Sequence, residues 1–120
     1  MLSDPNRPLY EVKAGLFKGL AHPIRIRILE VLSAAAEVSV SELLDVIDLE
    51  ASHVSQHLAV LRRNRLVVSE RRGSLVYYRL AYPQVADLLR VARALLGEIL
   101  RTTHEQLVEQ DGLPDIPVRA

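Results

Sequence analysis

Residues 39–80 read SVSELLDVIDLEASHVSQHLAVLRRNRLVVSERRGSLVYYRL. The segment opens as a capped helix does: Glu42 follows Ser39 at the three-residue spacing of a capping box. Leu43, Val46 and Ile47 then recur on one helical face. Asp48-Leu49-Glu50-Ala51 reads as a turn. A second helix, about Ser52 to Asn64, sets Val54, Leu58 and Leu61 on one side. Ser52, Gln56, Ala59 and Arg63 fall opposite, with Ser55 and Arg62 on a flank. Two short alternating strands follow, Leu66 to Arg71 and Leu75 to Leu80, joined by a turn at Gly73-Ser74. A helix with one stripe to bury and a stripe of small, hydrogen-bonding side chains opposite it fits a DNA major groove.

Working outward, Leu9 to Leu20 is expected to be helical, with Leu9, Val12, Leu16 and Leu20 on one stripe and Phe17 beside it. His22-Pro23 interrupts that helix, and Pro23 suits the first turn of the next, which is expected to reach about Ala35 with Ile24, Ile28, Leu29 and Leu32 inward. Pro83 opens a long final helix to about Gln110, which Gly112 and Pro114 stop. Val85, Leu88, Leu89, Ala92, Leu95, Leu96 and Ile99 follow 3-and-4 spacing along it. One small core cannot cover both this stripe and that of the first helix, so the two terminal helices are expected to form a two-fold interface between copies. Residues 1–8 and 111–120 read as flexible tails around a single domain at 9–110. The chain shows no internal repeat.

With 120 residues and 49% hydrophobic content, one domain with a modest core is expected. Net charge is zero, but its distribution is uneven. Residues 1–50 carry net −3 and residues 81–120 net −2, whereas residues 51–80 hold six arginines against Glu70 alone, net +5. That positive segment coincides with the second helix and the hairpin, where a phosphate-binding footprint belongs. Cysteine is absent, which excludes disulfides, thiol redox sensing and thiolate metal ligation. No apolar run approaches the roughly 18 residues of a membrane span, and Met1-Leu2-Ser3-Asp4-Pro5 lacks the layout of a signal peptide. The expected location is cytoplasmic, with no membrane partner.

Three stretches together resemble the ArsR/SmtB family of winged helix-turn-helix repressors. Ala21-His22-Pro23-Ile24-Arg25-Ile26-Arg27-Ile28-Leu29 is similar to their first core helix, and Ser52 to Arg62 to their recognition helix. Leu66-Val67-Val68, Arg71-Arg72-Gly73 and Val76-Tyr77-Tyr78-Arg79-Leu80 are similar to their wing. The resemblance spans about Leu9 to Leu100. It implies a mainly α fold with a small β-hairpin wing, dimeric through terminal helices: Leu9, Val12 and Leu16 at one end, and the stripe from Val85 to Ile99 at the other. It implies a sequence-specific DNA-binding regulator, expected to repress from an inverted-repeat operator. Ser52, His53, Ser55 and Gln56 would face base edges, where glutamine pairs with adenine and serine is versatile. Arg62, Arg63, Arg71 and Arg72 would grip phosphates. Plainer readings stand beside these: Ser52 as an N-cap, and Arg62 and Arg63 as solvated residues at a helix C-terminus.

The resemblance also raises metal sensing. The family's thiolate site falls on Ser39 and Ser41, which are not thiols. Its last-helix site falls on Tyr82, Gln84, Leu95 and Glu98, so at most one ligand of four remains. No metal or other cofactor is expected; Glu98, His104 and Glu105 are the weak candidates, carboxylate and imidazole suiting zinc or nickel. His53 and His57 lie four apart and could share an ion, in competition with DNA. His22 reads as a packing residue. No G-x-S-x-G, P-loop or G-x-G-x-x-G is present, and the five glycines stand singly, so no enzymatic activity is expected. Two alternatives to a simple repressor are the same scaffold gated by a metal, small molecule or partner protein, and a winged helix used for protein contact alone.

Overall fold

Ser39 does two jobs that fix the centre of the fold. Its side chain accepts from the Glu42 N–H at 3.1 Å, and Glu42 returns a bond to the Ser39 N–H at 3.0 Å. This capping box starts α3 (Val40–Val46). Ser39 also ends β1 (Val38–Ser39), a two-residue strand that the sequence reading missed. The computed structural model describes residues 5–111. The other elements, in chain order, are α1 (Leu9–Leu20), α2 (Pro23–Ser33), α4 (Ala51–Arg63), β2 (Val67–Arg72), β3 (Leu75–Leu80) and α5 (Gln84–Asp111). The expected tails at 1–4 and 112–120, with the stop signals Gly112 and Pro114, lie outside the described residues.

The three strands form one antiparallel sheet in the order β1-β3-β2. The hairpin turn is Gly73-Ser74, with Arg72 opposite Leu75. Gly73 sits at φ +62, a conformation that costs a residue with a Cβ but not glycine. Strand β2 begins one residue later than the alternation suggests, because Leu66 belongs to the end of α4. There the Leu66 N–H donates to the Leu61 carbonyl and the Arg65 N–H to the Arg62 carbonyl, both at 3.0 Å. That pair of bonds is a Schellman motif, with Leu66 and Leu61 both buried as its apolar contact.

The described residues fall into two compact units that divide between Ala86 and Asp87. In the first, α2 contributes Ile28, Leu29 and Leu32, α3 Leu43, and α4 Val54, Leu58 and Leu61, each at most 1% exposed. Leu20, Val38, Ile47, Leu66, Val67, Tyr78 and Val85 complete this core. Helix α2 ends at Ser33, two residues short of expectation; the Ser33 hydroxyl donates to the Leu29 carbonyl at 2.7 Å, and the chain soon enters β1, where Val38 pairs with Tyr78. Val46 keeps helical spacing but is exposed, since α3 closes at Ile47 and the core takes Leu43 and Ile47 instead. Among the described residues the second unit is helical, formed by α5 from Asp87 onward. None of its apolar side chains among described residues 87–109 is buried.

Candidate nucleic-acid interface

Helix α4 begins without a side-chain cap. Its N-cap is Glu50, so Ser52 lies inside the first turn and is not the cap that its position suggested. Ser52, His53, Ser55 and Gln56 are all exposed, opposite the fully buried Val54, Leu58 and Leu61. The side chains of Ser52, Ser55 and Gln56 make no hydrogen bond to another described residue. A helix seated on one face with unspent donors and acceptors on the other is positioned to read an external surface.

His57 departs from that outward set. It is partly buried, with its ring 4.2 Å from that of His22 and tilted by 42°. The Nδ1 of His22 accepts from the Ile24 N–H at 3.1 Å and caps α2, a role sequence reasoning had left as packing. Burial lowers the pKa of His57, and the nearby charges of His22, Arg25 and His53 lower it further. Because His57 turns towards His22, it does not share the exposure of His53.

The wing arginines part company by strand geometry. Successive side chains on a strand point to opposite faces. Val67, Ser69 and Arg71 therefore share a face with their cross-strand partners Leu80, Tyr78 and Val76; Val67 and Tyr78 are buried, so this is the inner face. Glu70 and Arg72 lie on the outer face with Tyr77. Arg71 and Arg63 form no ion pair with another described residue. Arg62 reaches only a long bond of 3.4 Å to the Ser69 hydroxyl. Arg72, by contrast, is bidentate on Glu37 at 2.5 and 2.7 Å, donates through Nε to Glu70 at 2.9 Å, and lies 4.6 Å from the centre of the Tyr77 ring. The hydrogen bonds from Arg72 hold the carboxyls of Glu37 and Glu70 below their ordinary range, and those two carboxylates raise the pKa of Arg72. Of the two wing arginines expected to grip phosphates, Arg72 is thus engaged by Glu37 and Glu70 in this structure, whereas Arg71 forms no ion pair with another described residue. Glu37, in the connection before β1, gave no signal in the sequence.

Between α4 and the wing lies a cleft of about 400 Å³ that Ser39, Ser41, Ser55 and Ser74 line together with Leu58, Val76 and Tyr78. Ser41 and Ser74 were not singled out as contacts from sequence. Their hydroxyls add neutral donors and acceptors to the cleft that Ser55 lines.

On α5 the three weak metal candidates do not assemble. Glu98, Arg101 and Glu105 follow 3-and-4 spacing, and both carboxylates pair with the Arg101 guanidinium. At about 100° per residue, His104 flanks that face, about 100° round the helix from Glu105 and about 120° from Glu98, and its Nδ1 is buried without a partner. Among the described residues, no three ligating side chains come together to hold a metal.

Comparison with known proteins places this geometry. A helix-turn-helix domain model matches residues 20–70. The uncharacterized HTH-type transcriptional regulator Rv0081 of Mycobacterium tuberculosis is 49% identical over 96 residues, spanning 79% of this chain and 83% of the relative. The crystal structure of that protein superposes with a TM-score of 0.74 at 48% identity, covering 82% of this chain and 98% of the other. The HTH-type transcriptional repressor SmtB of M. tuberculosis is 36% identical over 80% of this chain and 70% of its own length. The arsenic resistance regulator ArsR2 of Pseudomonas putida is 31% identical over 82% and 89% respectively.

Proposed function

The chain belongs to the ArsR/SmtB family of winged helix-turn-helix proteins and is a DNA-binding transcriptional regulator; from that premise we propose that it acts as a homodimeric repressor on an inverted-repeat operator. One observation carries the reading of its contacts. Ser52, Ser55 and Gln56 stand exposed and uncommitted on a helix whose opposite side is wholly buried. In this reading Gln56 and Ser55 read base edges, with Ser52 and His53 at the helix start beside them. Arg62, Arg63 and Arg71 neutralise phosphates along the flanking strand and supply the sequence-independent part of the affinity.

The dimer follows from what each unit leaves uncovered. Leu9, Tyr10 and Phe17 of α1 are exposed, and so are Val91, Leu95, Leu96 and Ile99 of α5, with Ala92 among them. A second copy is the occupant that two-fold half-sites demand, spaced by about one helical turn of DNA or a multiple. Footprinting on the DNA upstream of the protein's own gene tests the reading. The expected result is a protected dyad with two half-sites; protection of a single asymmetric half-site would refute the homodimeric mode.

A further inference from the structure

We propose that Arg72 is a positioning residue: it braces the wing across the sheet and leaves phosphate contact at the tip to Arg71. This rests on the DNA-binding reading above. The geometry is specific. Arg72 stands on β2, at one edge of the β1-β3-β2 sheet, and Glu37 immediately precedes β1 at the other edge. The guanidinium passes over the outer face of the central strand, against the Tyr77 ring at 4.6 Å, to reach a carboxylate 35 residues away. It thereby spans roughly two strand spacings of about 4.8 Å each. Its three nitrogens are all in use: two on Glu37 and one on Glu70.

An isolated exposed ion pair fixes little, because two long side chains lose freedom in holding it. This arrangement differs in three ways. The fork is bidentate, which sets direction as well as distance. A second carboxylate engages Nε, and an aromatic face supports the cation. The links also join the hairpin to the connection before the capping box of α3, so they fix the wing relative to the helix-turn-helix. For Arg72 to seize a phosphate it would have to abandon Glu37 and Glu70, leaving two bare carboxylates beside the incoming anion. Arg71 has no such commitment and lies on the inner face. There its cross-strand partner Val76 borders the cleft that Ser55 lines.

The two roles for Arg72 predict opposite signs for one substitution. Glu37→Gln removes the charge that holds the fork but keeps the shape of an exposed side chain. With Arg72 as a brace, Glu37→Gln weakens operator binding at least threefold and leaves the log–log salt slope unchanged. It also speeds hydrogen exchange of the amides of residues 71–75 in the DNA-free protein. Arg72→Lys, which keeps the charge but loses the fork, gives the same exchange result. Tighter binding by Glu37→Gln, with a salt slope steeper by about one, would mean that a phosphate contact had been released, and overturns the proposal. Wild-type exchange in both variants overturns it as well. If the wild-type protein bound no DNA, the DNA-binding reading would fail, and the exchange measurement alone would decide the brace.

Discussion

Arg65 holds a backbone conformation that glycine usually fills. Its φ of 61 closes the Schellman motif at the end of α4, where a Cβ costs about 1–2 kcal/mol. Arg65→Gly is therefore expected to stabilise the protein by roughly 1 kcal/mol after the entropy of the more flexible unfolded chain is deducted. Urea unfolding at matched protein concentration measures it, and a loss of stability would refute the strain. Gly19 is the converse case. A Cβ there would lie 2.8 Å from the Asn64 side chain, which donates to the Val60 carbonyl at 2.8 Å as α4 ends. Gly19→Ala must displace that amide, and a cost of about 1–3 kcal/mol is expected, as for overpacking elsewhere; an unchanged unfolding midpoint would show that Asn64 moves freely. His57 gives a pH dependence with a defined sign. Its folded pKa is below the ordinary 6.5, chiefly through burial, so between the two values the unfolded chain binds more protons. The stability it contributes is full above 6.5 and is lost as pH falls through that window. Glu37, Glu42 and Glu70, with pKa values lowered from 4.5, act only at lower pH. Between pH 7.5 and 5.5 the melting temperature of the wild type should fall further than that of His57→Gln; equal falls would contradict the assignment.

At the scale of elements, the helix-turn-helix was legible because its signals are local. Ser39 and Glu42 announce α3, and the spacing of Val54, Leu58 and Leu61 gives both the position and the buried face of α4. The hairpin was legible to within a residue from alternation and Gly73-Ser74. Strand β1 was not, because a two-residue strand has no period; it exists through its pairing with Tyr77 and Tyr78, a long-range contact. The same holds for Glu37, whose partner lies 35 residues on. The opposite facing of Arg71 and Arg72 was legible, since adjacent strand residues never share a face, yet treating them as a pair hid it. Val46 shows the limit of periodicity near a helix end: the spacing is right, but the helix stops before the core requires it.

At the scale of the whole molecule, the second unit buries none of its described apolar side chains, although Leu95, Leu96 and Ile99 are 60%, 52% and 51% exposed. Fully burying such a side chain is worth about 1.5–3 kcal/mol; with about half of each still exposed, covering the stripe gains roughly half of that per residue, and several residues together hold two copies. Leu95→Glu places a charge in that stripe and should reduce the mass in light scattering from twice the single-chain 13.4 kDa to 13.4 kDa. A wild-type mass of 13.4 kDa at micromolar concentration would contradict the dimer. The positive charge of residues 51–80 was legible from composition, but which arginines are free needed the fold. Direct reading of DNA by α4 is the central claim, and one measurement bears on it most closely: fluorescence anisotropy of the wild type and Gln56→Ala on the operator and on a scrambled duplex, across a salt series. The account predicts that both proteins bind the scrambled duplex alike, with affinity falling steeply as salt rises. On the operator, Gln56→Ala should lose about 1–3 kcal/mol, the worth of a good base contact. Equal operator affinity for the two proteins would contradict the claim that this helix reads the bases through Gln56.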